Sequence, residues 1–319
     1  MTTAFRFTDP PPPSTATGVT ADVYAQLASD FGIARASTFV VLSESPPLLT
    51  GAWALLRESL LAGRVSRTAK ELVATGVSLA NRCPFCVDAH TVLLHATGDH
   101  VLAERIARGE EPADPEHQRL LAWGRDIRGP RPFPAEQTAE HLGTALTFHF
   151  INRIVSALLV EDMLPRGAQK YRVVRSAAGR SLARTVRREL RPGESLKLLQ
   201  TSGPEPRWAA GQAVGTAYGA LREAALMGAG LLSDDDQALV RKTVAAHDCV
   251  NHPSLSADWL PAREDRPGAR LALLAALAPY RITQEDVTAW RTSRHTGHCL
   301  VHLVAYGAMT AVERIEEQL

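Results

Sequence analysis

Two cysteines, a histidine and a glutamate that fall within one stretch of twenty residues are the groups in this chain best suited to chemistry. They lie in Glu71 to His90, ELVATGVSLANRCPFCVDAH. Cys83 and Cys86 form a Cys-x-x-Cys. His90 stands four residues after the second thiol, and Glu71 stands twelve before the first. The nucleophilic form of cysteine is the thiolate. A free thiol has a pKa of about 8.5, and a helix N-terminus or a nearby imidazolium lowers it. An imidazole in reach can take the thiol proton, and a carboxylate can orient or recharge that imidazole.

The elements that must position these groups are legible as two helices and a turn. From Thr68 to Ala80 the positions Ala69, Leu72, Val73, Gly76, Val77 and Ala80 recur at three- and four-residue steps, which predicts a helix. Ser66 is its best-placed cap. Asn81 and Arg82 end it. Pro84 opens a second helix, because its missing N–H would have no partner there anyway. Gly98 is the expected stop. On the second helix Cys86, Ala89, His90 and Leu93 share a face, with Cys83 at its mouth. Cys86 then lies in the first turn, where unpaired N–H groups favour an anion. Glu71 is about 15 Å up its own helix from the turn, at a rise of about 1.5 Å per residue. Its contact with His90 is therefore expected either directly or through a water.

The full pattern, Glu-x11-Cys-x2-Cys-x3-His in an alanine-rich helical setting, resembles the alkylhydroperoxidase D (AhpD) family, which includes the carboxymuconolactone decarboxylases. The resemblance implies an all-α, AhpD-like helical bundle. It implies Cys86 as peroxidatic cysteine, Cys83 as resolving cysteine, and His90 with Glu71 as the proton relay. The stretch Thr147 to Arg153 (TFHFINR) is similar to a later helix of the family that carries an Asn-Arg pair and packs over the site. The implied activity is a thiol-dependent peroxidase or disulfide reductase acting on a hydroperoxide, with no cofactor. The implied reductant is an external dithiol, typically a lipoyl-bearing protein, or a peroxiredoxin system. Two other readings stay open. One is a carboxymuconolactone-type decarboxylase, against which the intact cysteine pair argues. The other is a non-enzymatic redox sensor.

The remainder of the chain constrains these readings. Apolar residues make up 45% and charged residues 22% of 319 residues, and the net charge is +1. That composition suits a globular protein and supplies no general drive toward nucleic acid or membrane. No apolar run approaches the roughly 20 residues that span a bilayer, and the N-terminus lacks the layout of a signal peptide. Four cysteines are too few for a disulfide framework in a chain of this length, so a cytoplasmic protein with a cycling Cys83–Cys86 pair is expected.

Residues 1–18, with Pro10 to Pro13, read as a disordered or extended arm. Residues 19–168 read as one AhpD-like repeat with the complete site. Within it, Leu48 to Leu61, Val101 to Arg108, Pro115 to Arg128 and Ala135 to Leu164 read as helical. Residues 169–195 read as a basic connector, more simply a solvated helix than a patch for an anionic partner. Residues 196–319 read as a degenerate second repeat. Ala217 to Glu223 echoes Ala52 to Glu58, and Cys299 to Val304 echoes Phe148 to Ile151. Cys249 takes roughly the place of Cys83 there, without a second cysteine or a match for Glu71. Single-repeat members of the family form oligomers through such helices, so a homo-oligomer is expected and the fusion builds part of that interface within one chain.

Other side chains are also of types that can do chemistry. His295, His298 and His302 sit at three- and four-residue steps beside Cys299, as a metal face or, more simply, as packed residues. Cys83, Cys86 and His90 lack the fourth ligand of a structural zinc site. His149 either lines the pocket or packs. Asp88 points off the Cys86–His90 face and reads as solvated. Helical flanks on both sides argue against a thioredoxin setting, since that motif needs a strand before its helix.

Overall fold

The computed structural model describes residues 4–162, 164–254 and 258–319. Its described residues form an all-α protein whose only β pairing is a single bridge between Phe5 and Leu159. The first eight helices are α1 Gly18–Gln26, α2 Ser37–Leu42, α3 Pro46–Leu56, α4 Arg67–Ala80, α5 Pro84–Thr97, α6 His100–Ala107, α7 Pro115–Arg125 and α8 Thr138–Leu158. Helix α9, Arg172–Val186, follows. The rest are α10 Ala213–Leu226, α11 Asp234–Ala245, α12 Pro267–Leu277, α13 Gln284–Trp290 and α14 Gly297–Glu316. Both α1 and α3 run on into a π-helical turn, Leu27–Phe31 and Arg57–Leu61.

The core is built around α8 and α14. Both are apolar nearly all round, as expected of helices buried on every side. Helix α8 packs against α4 on one side and α14 on another, and α14 packs in turn on α12. Helix α3 lies against α10. The two pairs of sequence echoes therefore face each other, α3 on α10 and α8 on α14.

Helix α4 is seated against α7 with almost no space between backbones. A Cβ on Gly76 would stand 2.4 Å from the carbonyl oxygen of Leu121, and one on Gly124 would stand 2.5 Å from that of Val73. Glycine is required at both positions for the helices to approach this closely. The expected result for Gly76→Val is a loss of about 3 kcal/mol, because the added methyls can only be housed by parting the two helices. A urea midpoint at the wild-type value would show that the helices separate freely.

Several sequence expectations shift. Helix α8 stops at Leu158 and not Leu164, because the chain turns extended there and pairs with the N-terminus. The Arg6 N–H donates to Leu158 O (2.9 Å) and the Val160 N–H to Ala4 O (3.1 Å). The Arg6 guanidinium reaches Ser156 O (2.9 Å) and Ile282 O (2.5 Å), so this extended segment joins α8 to the second half of the chain. Helix α7 ends at Arg125 and not Arg128. The Asp126 carboxylate takes both the N–H and the guanidinium of Arg128, closing a turn that the helix cannot continue through. The run to Leu61 is present, but its last five residues are the π turn.

Candidate active site

Helix α4 begins where Ser66 Oγ accepts the Ala69 N–H at 3.2 Å. It ends at Asn81, and Arg82 reverses the chain at φ +52°. The Cys83 N–H then donates back to Ser78 O (3.0 Å), and Cys83 caps α5 with Pro84 at its first position. Gly98 closes α5 at φ +107°. The two helices run back along each other. Cys83 and Cys86 are joined as a disulfide at the start of α5, and both are buried.

The returning helix brings His90 within direct reach of Glu71. His90 Nδ1 lies 2.6 Å from Glu71 Oε2. No bridging water is needed: α5 climbs back beside α4, and the glutamate side chain spans what remains. With the Nδ1 hydrogen donated to the carboxylate, Nε2 is left as the lone-pair nitrogen. Glu71 is fully buried. Burial alone would push its carboxyl up. The Arg67 charge and the His90 contact outweigh that and hold it below the usual carboxylate range. Arg67 Nε donates to Glu71 Oε1 at 2.7 Å, one helical turn before it. The edge of Phe148 meets the His90 ring at 4.4 Å between centroids.

Cys86 and His90 open onto a cavity of about 410 Å3. Phe31, Leu56, Leu60, Phe85, Phe148 and Ile151 are among its walls, so the two π turns and α8 all contribute. Val174, Ala178 and Leu182 of α9 supply another wall, as one stripe at four-residue steps. The segment expected as a solvated connector is therefore packed. Gly179 rests on His95, where a Cβ would stand 2.5 Å from that of His95. Arg175 Nη2 reaches both oxygens of Glu104 (2.8 and 3.0 Å), which His95 Nε2 also meets at 2.8 Å. Burial pushes the Glu104 carboxyl up, but Arg175 and His95 bring it below the ordinary value.

The Asn-Arg pair of α8 sits behind the turn that carries the two cysteines. Asn152 pairs with the Ser78 hydroxyl at 3.2 Å. Arg153, fully buried, donates to Ala276 O (2.8 Å), Cys249 O (2.5 Å), His149 O (2.8 Å) and Asn81 Oδ1 (3.4 Å). It thereby ties the turn ahead of Cys83 to backbone carbonyls of the second half. His149 does not line the cavity; it packs here, with Nδ1 3.3 Å from the Asn81 amide. Cys249 is buried and free, and burial pushes its thiol up to about 11, which disfavours the thiolate at neutral pH.

The remaining candidates are placed apart from this site. Asp88 is half-buried and not solvated; burial raises its carboxyl, offset in part by Gln169, Lys170 and Arg175. His295 precedes α14, stacks on Trp290 and bonds its carbonyl (2.9 Å), so it does not share a helix face with the other two. His298 Nδ1 meets Glu44 O at 2.7 Å, and His302 is buried 4.6 Å from the His298 ring. Among the described residues no three such side chains converge to hold a metal ion. Sequence reasoning missed Arg67 and the stripe on α9. Arg67 had a signal, an Arg-x3-Glu at helical spacing; the α9 stripe did not, since nothing local says which wall it closes.

The carboxymuconolactone decarboxylase family model matches residues 47–109, which run from the second residue of α3 past the end of α6 and include all four motif residues. Over 323 aligned residues the chain is 40% identical to an alkyl hydroperoxide reductase of Mycobacterium tuberculosis, a match that covers 96% of this chain and 92% of that protein. Agreement along nearly the whole of both chains is more than a shared motif requires, and the chain belongs to the carboxymuconolactone decarboxylase family.

Proposed function

We propose that this protein is a thiol-dependent peroxidase in which Cys86 attacks a hydroperoxide, Cys83 resolves the product, and His90 with Glu71 moves the proton. One observation carries the reading. A Cys83–Cys86 disulfide at a helix start presents Cys86 to an apolar cavity that it shares with an imidazole whose other nitrogen is fixed by a buried carboxylate. The name of the mycobacterial relative, an alkyl hydroperoxide reductase, supports the same chemistry.

The cycle balances with two electrons and two protons. Reduced Cys86 loses its proton to His90 and attacks the outer oxygen of the hydroperoxide. The O–O bond breaks, an S–O bond forms, and the departing alkoxide takes the proton back from His90 as an alcohol. Cys83 thiol then attacks the sulfenic sulfur, forming the disulfide and releasing water. On this reading the Cys83–Cys86 disulfide is that product. An external dithiol, such as a lipoyl-bearing protein, reopens it by exchange and leaves oxidised. Arg67 holds Glu71 ionised, so the carboxylate can orient His90 and stabilise its protonated form without taking the proton itself.

On the same reading residues 19–168 and 196–319 are two fused repeats joined by 169–195, and only the first keeps the chemistry. The second supplies the carbonyls that Arg153 clamps behind the redox turn.

Consumption of an organic hydroperoxide with a dithiol donor tests the activity directly. For His90→Ala we expect turnover to fall by about a hundredfold or more, the usual cost of removing a positioned acid–base group. The pH at which the reduced cysteines alkylate should rise as well. An alkylation profile identical to that of the unmodified protein would take His90 out of the relay.

A further inference from the structure

We propose that the cavity beside Cys86 takes an amphiphile: an apolar body with a carboxylate head, the head held at the rim by Arg35. The hydroperoxide would be carried on that body, a clause that rests on the peroxidase reading; the ligand class itself does not.

Two features of the cavity ask for an explanation that a small peroxide does not give. The first is its size and chemistry. A cavity of about 410 Å3 walled by aliphatic and aromatic side chains stabilises ligands with apolar surface to bury. Hydrogen peroxide has none, so this space contributes nothing to binding it.

The second is Arg35. It lines the same cavity from the stretch before α2 and is exposed at its edge. Several neighbouring arginines have acidic partners: Arg57 and Arg188 with Asp30, Arg67 with Glu71, and Arg175 with Glu104. Among the described residues no acidic side chain pairs with Arg35. Its guanidinium keeps its fork of donors for a planar anion, while its methylene stem can lie along the apolar wall.

The surroundings favour an anion too. Arg180 and Arg184 stand on the exposed face of α9, the helix whose other face closes the cavity. Asp88 is the acid on α5 nearest this region, and its field is answered by Lys170 and Arg175. An apolar space with an unmatched cation at its lip fits a carboxylate-headed chain or ring system better than a neutral one.

The test is binding by the full-length oxidised protein, in which the Cys83–Cys86 pair has no thiol to react. Laurate and its methyl ester are compared by calorimetry at low salt. They share the apolar body and differ in the head. An exposed ion pair predicts that laurate binds about fivefold tighter than the ester. Added salt should shrink that preference by screening the head group. Arg35→Ala should erase the preference and leave ester binding as it was, since an exposed side chain with no partner can be removed without loss of fold. Ala178→Trp, which fills the cavity from the α9 wall, should weaken both ligands. Equal binding of acid and ester by the unmodified protein, a preference that survives Arg35→Ala, or no binding of either ligand would overturn the proposal. The peroxidase reading fails independently. If Cys86→Ser kept full peroxide turnover while laurate binding still depended on Arg35, the ligand class would stand and the chemistry would not.

Discussion

Cys86→Ser abolishes peroxide turnover, by at least about a thousandfold, the scale seen when a nucleophile that works within a catalytic unit is removed. Serine keeps the shape and loses the chemistry. Its hydroxyl does not ionise at a pH where a helix start and an imidazole can help, and its oxygen is a poor nucleophile toward an O–O bond. Cys83→Ser should behave differently. Cys86 can then still attack peroxide once, so each chain should consume a single equivalent and stop as a sulfenic acid, unless an added thiol takes over the resolving step. The two variants together assign the roles. Mass spectrometry after peroxide and a sulfenic-acid trap should find the adduct on Cys86. An adduct appearing first on Cys83, or turnover that persists without Cys86, would reverse the assignment or end it.

What the sequence made legible was local. Ser66, Pro84 and Gly98 each mark a helix boundary through the backbone chemistry of a single residue, and all three stand where that chemistry places them. The face shared by Cys86 and His90 follows from helical spacing alone. The direct Glu71–His90 contact was harder. Spacing along one helix gives a rise, but how far the next helix climbs back depends on the angle at which the two pack. Least legible was the basic segment that became α9. Its arginines dominate its composition, yet Val174, Ala178 and Leu182 decide its place by closing a cavity whose other walls come from α3, α5 and α8. A stripe of three modest apolar residues reads as a solvated helix until the surface it fits is known. The boundaries that shifted share a cause as well. Helix α8 ends early because residues far away in sequence, at the N-terminus, compete for its last backbone groups.

Stability should fall steeply as the pH drops from about 6.5 to 5, before most carboxylates titrate. The protein buries several imidazoles as neutral groups. Burial, with Lys70 nearby, pushes His141 down to about 4, and burial beside His298 does the same to His302. His252, half-buried near Arg153 and Arg82, is pushed down to about 3. Burial and Arg153 hold His149 well below the ordinary histidine value. Each has at least one ring nitrogen buried without a protein partner. The sign follows from the proton count. Below about 6.5 the unfolded chain takes up protons at these histidines and the folded chain does not. Stability is therefore complete above that pH and drains away as the pH falls toward the folded values. One such group loses about 1.4 kcal/mol per pH unit. From pH 6.5 to 5, His141 alone accounts for about 2 kcal/mol, and the other three act in the same direction. Against a total of about 5–15 kcal/mol for an ordinary domain, that is a large share. Glu71 does not contribute to this window. Its carboxyl is lowered, so its stabilisation is intact above about pH 4.3 and is lost only as the pH falls through its lower folded value. Glu44 and Glu313, raised by burial, work the other way and blunt the slope. Urea midpoints at pH 7.5, 6.5 and 5 measure the effect. His141→Phe should flatten the profile by about one group's worth, since a phenyl ring can keep the stack on Phe133. A midpoint that stays level from pH 7.5 to 5 would mean that these rings take up protons inside the fold, and that the groups around Arg153 rearrange to receive them.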